Sequence, residues 1–86
     1  MFTKVFHIYK LRRAFLGIFL IDTPKGVVVH SKTPNCIHTY IKLGDVIVSV
    51  NGRPANGYKK TAKRIVSADT LVLEVKREEY FAFDPL

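Results

Sequence analysis

The stretch that decides the fold is Leu43–Gly52, which reads LGDVIVSVNG. Valine occupies every second position of its central part, with Ile47 and Ser49 between, and this period of two is typical of a β-strand. Gly44-Asp45 precedes the strand, and Asn51-Gly52, a pair that tolerates positive φ, follows it. The stretch therefore predicts a turn, a short strand and a second, tight turn.

The size and composition of the chain indicate one small globular domain, assigned to residues 1–77 and followed by a tail at 78–86. The 86 residues are 48% hydrophobic and 12% aromatic, too rich for a disordered chain. No run reaches the roughly 18 apolar residues of a membrane span, and no signal-peptide pattern opens the chain. The single cysteine, Cys36, forms no internal disulfide, which predicts a reducing, cytoplasmic setting.

The charge is strongly basic, at +7. Its cations cluster at Lys10-Arg12-Arg13 and at Lys59-Lys60-Lys63-Arg64. Such clusters favour acidic peptides, acidic membrane lipids or nucleic acid, and lipids would place the protein at the membrane periphery. The alternative is an ordinary solvated surface. Nucleic acid is disfavoured, because neither cluster is interleaved with aromatic residues that would stack on bases.

The remaining patterns predict a mainly β, α+β fold with one principal helix. Strands are predicted at residues 5–9, 16–21, 27–30, 46–50 and 71–76, with a stub at 53–55. Ala62, Ile65 and Val66 form an apolar stripe that predicts a helix at 59–67. Residues 34–40 are predicted to be irregular, with one helical turn at most. This order indicates a small, partly open β-barrel or sandwich of five or six strands capped by the helix.

Four segments of the chain, over about residues 4–77, resemble the PDZ domain family. They are the loop Phe15-Leu16-Gly17-Ile18, the turn and strand Gly26–Val29, the segment Ile41–Gly52, and the apolar stripe of the helix. The resemblance implies a protein–protein interaction module, part of a signalling scaffold, that binds the C-termini of other proteins. It implies no enzymatic activity, no cofactor and no metal.

The resemblance also implies which residues contact the peptide. A terminal carboxylate would be held by the N–H groups of Leu16, Gly17 and Ile18, with help from Arg12 or, failing that, Lys10 or Arg13. The peptide would add as a strand beside residues 18–21, and Leu16, Ile18, Leu20 and Val66 would enclose its last side chain. The full implied set is Arg12, Phe15, Leu16, Gly17, Ile18, Phe19, Leu20, His30, Lys59, Ala62, Lys63 and Val66.

The ligand class implied by the resemblance depends on the first residue of the helix, assigned to Lys59 with Lys60 as the alternative. A lysine there favours Asp or Glu two residues before the end of the peptide, by about 0.2–1 kcal/mol for a partly exposed pair. Lys63 would reinforce this preference. The chain departs from the family at Phe15, which stands where glycine is usual.

Other residues that could carry chemistry have ordinary structural explanations. Cys36 could be a nucleophile with His30 or His38 as its base, but a small, buried cysteine beside a turn is the more common case. Asp45 is expected to accept backbone hydrogen bonds at its turn rather than to act in catalysis. His7 is expected on the surface, and the three histidines lack the spacing of a metal site.

The tail ends in Phe83-Asp84-Pro85-Leu86, an apolar last residue with an acid two positions before it. This is the ligand type expected for Lys59, and the tail is therefore predicted to occupy a groove in its own or in a neighbouring molecule. The alternative is a frayed end, or one that packs on the domain through Tyr80 and Phe81.

Overall fold

The computed structural model describes residues 2–78, so residues 79–86, and with them the predicted groove-binding tail, lie outside the described part. The elements in chain order are β1 (Phe2–Tyr9), β2 (Ile18–Thr23), β3 (Gly26–Lys32), β4 (Val46–Val50), β5 (Arg53–Pro54), α1 (Tyr58–Ser67) and β6 (Thr70–Arg77). The predicted order and the predicted α+β class are confirmed. No helix of the described residues is long and apolar enough to cross a membrane.

All six strands form one antiparallel sheet. Its order is β1-β6-β4-β3-β2, with β5 pairing to β4. The helix α1 packs against β2, β3 and β4, and its Ile65 joins a buried core built mainly from alternate residues of the strands. Strand β2 is thus an edge strand of the sheet that also contacts the helix.

The stretch Leu43–Gly52 is fixed by side-chain hydrogen bonds at both of its ends. Asn51 adopts a φ of 51° in the turn after β4. Its side-chain Nδ2 donates to the Thr70 carbonyl at 3.1 Å, and its Oδ1 accepts the Val72 N–H at 2.6 Å. The turn is therefore fastened to β6 as well as formed locally.

Asp45 is 1% exposed and holds the other end of the stretch. It accepts the Lys42 N–H at 2.9 Å, as predicted for a structural turn residue. Its two oxygens also accept Arg77 Nε and Nη2, each at 2.7 Å, in a forked ion pair. These hydrogen bonds raise the pKa of the Arg77 guanidinium. Arg77 lies 32 residues further along the chain. The sequence alone therefore did not identify it as the partner of Asp45.

The helix begins at Tyr58, so the assignment of its first residue to Lys59 or Lys60 was wrong. Gly57, with φ 80°, precedes the first turn, and its carbonyl accepts both the N–H and the hydroxyl of Thr61. The Tyr58 N–H donates to Asp22 Oδ1 at 2.9 Å. Because that carboxylate at the end of β2 caps the positive end of the helix, the first turn forms one residue early.

Other boundaries differ from the predictions by a few residues. Strands β1, β2, β3 and β6 extend beyond their predicted limits at one or both ends, and β2 starts at residue 18 rather than 16. Residues 34–40 contain only isolated turns, so the helical turn allowed there is absent. The Lys32 ammonium donates to the His38 and Ile41 carbonyls at 3.3 and 2.7 Å, and the Ile41 N–H closes a turn onto the same His38 carbonyl at 3.2 Å.

Candidate functional site

A groove runs between β2 and α1. Among residues 2–78, strand β2 has a neighbouring strand on one side only, β3, while the helix contacts it on the other side. The Thr33 N–H donates to the Gly17 carbonyl at 2.8 Å, next to the paired residues Ile18 and Lys32. This pattern makes Ile18–Lys32 a non-hydrogen-bonded pair, so the N–H and C=O of Ile18 point away from β3, towards the open edge.

The loop that leads into β2 turns its carbonyls inward and its N–H groups outward. The Leu16 carbonyl lies 3.5 Å from Cys36 Sγ, and the Gly17 carbonyl accepts the Thr33 N–H. Because a trans peptide points its C=O and the following N–H in opposite directions, the N–H groups of Gly17 and Ile18 face the other way. Within residues 2–78, neither Leu16 nor Gly17 donates a backbone hydrogen bond in the turns and loops.

Gly17 is required by this loop geometry. Its φ is 91°, a conformation that side chains disfavour. A Cβ at this position would also lie 3.0 Å from Thr33 Oγ1 and 3.1 Å from Cys36 Cβ. A larger residue would therefore be strained here, and Thr33 or Cys36 would have to shift by a few tenths of an ångström.

A small apolar cavity opens beside the loop. The structure brings together four residues of the loop and β2 with three of the helix: Phe15, Leu16, Ile18, Leu20, Ala62, Ile65 and Val66. The cavity volume is about 30 Å³, and about 10–15 Å³ of such space is enough to hold one water. The lining is that expected of a pocket for an apolar side chain, but the cavity is too small to admit one as it stands.

Phe15 is the most exposed of the residues that line this cavity. Its side chain is 56% exposed and lies 5.3 Å, centroid to centroid, from the ring of Phe19 on β2. Both rings belong to residues that the sequence placed in the site. His30, another of these, is exposed on β3, opposite the irregularity between Phe19 and Leu20.

The helix presents different residues to its two sides. Tyr58 lies four residues before Ala62 and eight before Val66, so it shares their groove-facing side. Lys63, predicted to contact the ligand, instead lines a depression on the far side together with Lys60. Lys59 is exposed next to Tyr58. Sequence reasoning missed Tyr58 because the carboxylate that starts the helix early lies 36 residues away.

The basic loop before the groove is fixed onto the end of the helix. Lys10 Nζ donates to the Val66 carbonyl at 2.9 Å, and the Arg13 N–H donates to the same oxygen at 2.8 Å. The Ala14 N–H closes a turn onto the Leu11 carbonyl. Arg12, in the middle of that turn, is exposed. Of the three cations considered for the carboxylate, Lys10 is the one whose charged group already has protein partners.

The other reactive side chains have structural partners. The half-buried Cys36 directs its thiol at the Leu16 carbonyl. His38 Nδ1 lies 2.9 Å from the Tyr40 hydroxyl, and burial together with the nearby Lys32 charge lowers the pKa of His38. His7 is exposed, as expected. Across residues 2–78, no three His, Cys, Asp or Glu side chains are grouped so that they could hold a metal ion.

Comparison with known proteins assigns the fold. No family model and no curated protein matches the chain. Among solved structures, a PDZ domain from choanoflagellate GIPC bound to GAIP peptide matches with a TM-score of 0.73. The match covers 92% of this chain and 94% of that chain, at 18% sequence identity. The chain therefore has a PDZ-like α+β fold.

Proposed function

We propose that this chain is a peptide-binding interaction module, rather than an enzyme, that takes C-terminal peptides by β-strand addition between β2 and α1. The observation that carries the proposal is the pair of outward N–H groups of Gly17 and Ile18 beside the apolar cavity. Converging N–H groups are donors suited to a carboxylate. The peptide bound to the GIPC domain of the same fold adds support.

In this proposal the terminal carboxylate accepts from the N–H groups of Leu16, Gly17 and Ile18. The exposed Arg12 reaches the same carboxylate directly or through water. The rest of the peptide pairs with the open edge of β2, while Phe19 and His30 contact residues further along it. Micromolar affinity, about −8 kcal/mol, is expected for such an interaction.

The last side chain of the peptide is apolar and enters the cavity after Phe15 moves. Burial of one aliphatic side chain contributes about 1.5–3 kcal/mol. Separation of the Phe15 and Phe19 rings costs about 0.5–1.5 kcal/mol, so entry is favourable on balance. The groove is therefore narrow at rest and widens when it is occupied.

Two helix residues determine which residue is preferred two positions before the end of the peptide. Tyr58 supplies a phenol that forms a hydrogen bond with Ser, Thr, Asp or Glu, and Lys59 at the outer edge adds a preference for Asp and Glu. Lys59→Gln should reduce the preference for Glu over Gln by about 1.4- to 5-fold. Tyr58→Phe, which removes only the hydroxyl, should weaken Ser and Thr ligands and leave the charge preference intact.

A screen of C-terminal peptides, compared over their last four positions, tests the proposal. We expect enrichment of Leu, Ile or Val at the last position and of acids two before it. Selection of internal sequences, or equal binding of C-terminally amidated peptides, would contradict it. An absence of acidic enrichment would remove the role of Lys59 and leave the C-terminal recognition standing.

The alternative function is a basic module that binds acidic lipid head groups or nucleic acid through its cationic clusters. The response to salt separates the two. Phosphate-driven binding falls steeply and linearly on a log–log salt plot, whereas binding of a C-terminal peptide should respond only modestly.

A further inference from the structure

An open depression of about 470 Å³ lies on the side of α1 away from the groove, between the helix and the turn that follows β4. This volume is in the range of small-ligand sites. Four cations surround it: Arg53, Lys60, Lys63 and Arg64. Among residues 2–78, no acidic residue lines it. It is therefore a concave, strongly positive surface separate from the peptide groove.

These cations have no acidic partner in the described part of the chain. The ion pairs among residues 2–78 are Asp45–Arg77 and Lys25–Glu78, and neither involves the depression. Lys60 stands three and four residues before Lys63 and Arg64, a spacing at which like charges repel on a helix. The repulsion among these cations opposes folding, whereas a bound anion would attract all of them.

The hydrogen bonds around the depression leave its donors available. Arg64 Nη1 donates to the Pro54 carbonyl at 3.2 Å, which directs the guanidinium towards β5 and leaves most of its five donors for a ligand. At the negative end of the helix, the Val66 carbonyl accepts Lys10 and the Lys63 carbonyl accepts the Ser67 hydroxyl. Lys10 thus offsets part of the negative potential at this end of the helix.

A second feature of this end of the domain points to a membrane. Tyr9 and Leu11 are 82% and 81% exposed. Tyr9 pairs with Thr70, whose carbonyl accepts Asn51 of the depression. Arg12 and Arg13 follow directly in the chain. An aromatic and an aliphatic side chain flanked by cations is the composition that favours the interface of an anionic bilayer.

We propose that, as a second activity beside peptide binding in the groove, the end of the domain that carries Tyr9 and Leu11 docks on a membrane surface and that the depression binds the phosphorylated head group of an anionic lipid. Guanidinium groups grip phosphate through paired hydrogen bonds, and lysines contribute point charges. Four cations around one concave site favour a head group with several phosphates, such as a phosphorylated inositol ring, over a single phosphate diester. Tyr9 and Leu11 insert beside it.

The test is co-sedimentation of the full chain with three vesicle preparations. These are phosphatidylcholine alone, phosphatidylcholine with a phosphatidylinositol bisphosphate, and phosphatidylcholine with enough phosphatidylserine to match the charge of the second. We expect the bisphosphate vesicles to bind most tightly. Arg53→Gln combined with Lys60→Gln should weaken that binding by about fivefold for each cation removed. Lys42→Gln combined with Lys76→Gln removes equal charge elsewhere and is the matched control.

Binding of the soluble inositol trisphosphate head group tests whether the protein recognises the membrane or the free head group alone. Tyr9→Ser combined with Leu11→Ser should weaken vesicle binding and leave head-group binding unchanged. Equal binding to the serine and bisphosphate vesicles, or equal loss in the two paired-charge variants, would overturn the head-group site. Head-group binding as tight as vesicle binding, or tighter binding of a DNA duplex, would overturn the membrane assignment. Melting temperatures no lower than that of the parent chain establish that each variant is folded.

Discussion

Two short regions of this molecule use their polar groups in opposite ways. In the segment Leu43–Gly52, the side-chain oxygens of Asp45 and Asn51 accept hydrogen bonds from within the protein. Their donors are Lys42, Arg77 and Val72. In the loop before β2, other protein groups donate to the carbonyls. The N–H groups of Gly17 and Ile18 face outward, beside the exposed Phe15. The first region stabilises the sheet at both ends of β4. The second region leaves N–H groups facing outward, while its Leu16 side chain packs in the buried core.

The substitution with the largest expected effect on the free energy of unfolding is at Asp45, in the first region. Asp45→Asn retains the shape of the side chain but removes the charge that pairs with Arg77, whose side chain is only 18% exposed. Since breaking a buried pair leaves an uncompensated charge, we expect a loss of about 3–5 kcal/mol in the free energy of unfolding. Urea denaturation measures it.

The control is the exposed pair between Lys25 and Glu78, where Lys25→Gln should cost at most about 1 kcal/mol. If the Asp45 variant lost no more stability than this control, Asp45 would not be the anchor of the segment.

Asn51 should come next, and two substitutions separate its two roles. Asn51→Gly keeps the positive φ but loses two hydrogen bonds to β6, for which we expect about 1–2 kcal/mol. Asn51→Ala should cost about 1 kcal/mol more because a Cβ disfavours this conformation. Thermal unfolding compares the two variants. Equal losses would show that the backbone conformation contributes nothing.

The sheet was predictable because its signals are local and redundant. Alternating valines, a Gly-Asp pair and an Asn-Gly pair each predict the same turn-strand-turn within Leu43–Gly52. The groove depends on contacts that sequence spacing does not reveal. Asp22 on β2 accepts the N–H of Tyr58, the first residue of the helix, and Phe15, which lines the cavity, lies next to Phe19. The residues of the groove could thus be anticipated, whereas its width and the helix register could not.

A smaller effect, on binding rather than stability, is expected at Phe15. Phe15→Ala removes the ring that must leave Phe19 before the cavity widens. The affinity for peptides ending in Leu should therefore rise by about 2- to 12-fold, with the melting temperature nearly unchanged. Isothermal titration calorimetry measures the affinity. Weaker binding would mean that Phe15 contacts the ligand favourably instead of obstructing it.

The smallest effect is the pH dependence contributed by His38. Its pKa in the folded protein is lowered from 6.5, first by burial and then by Lys32. The unfolded chain therefore binds a proton more readily, so stability is fully present above pH 6.5 and falls as the pH drops through that value. His38→Gln should flatten this part of the curve of unfolding free energy against pH. An unchanged slope would rule His38 out as its source.

The central claim is that the outward N–H groups of the loop bind a terminal carboxylate. Nuclear magnetic resonance of the ¹⁵N-labelled chain tests it with one peptide ending in Leu, prepared with a free and with an amidated C-terminus. The account predicts downfield shifts of the Leu16, Gly17 and Ile18 amides with the free peptide, and affinity lower by at least about tenfold after amidation. Equal affinity for both peptides, with shifts confined to the far side of α1, would contradict it.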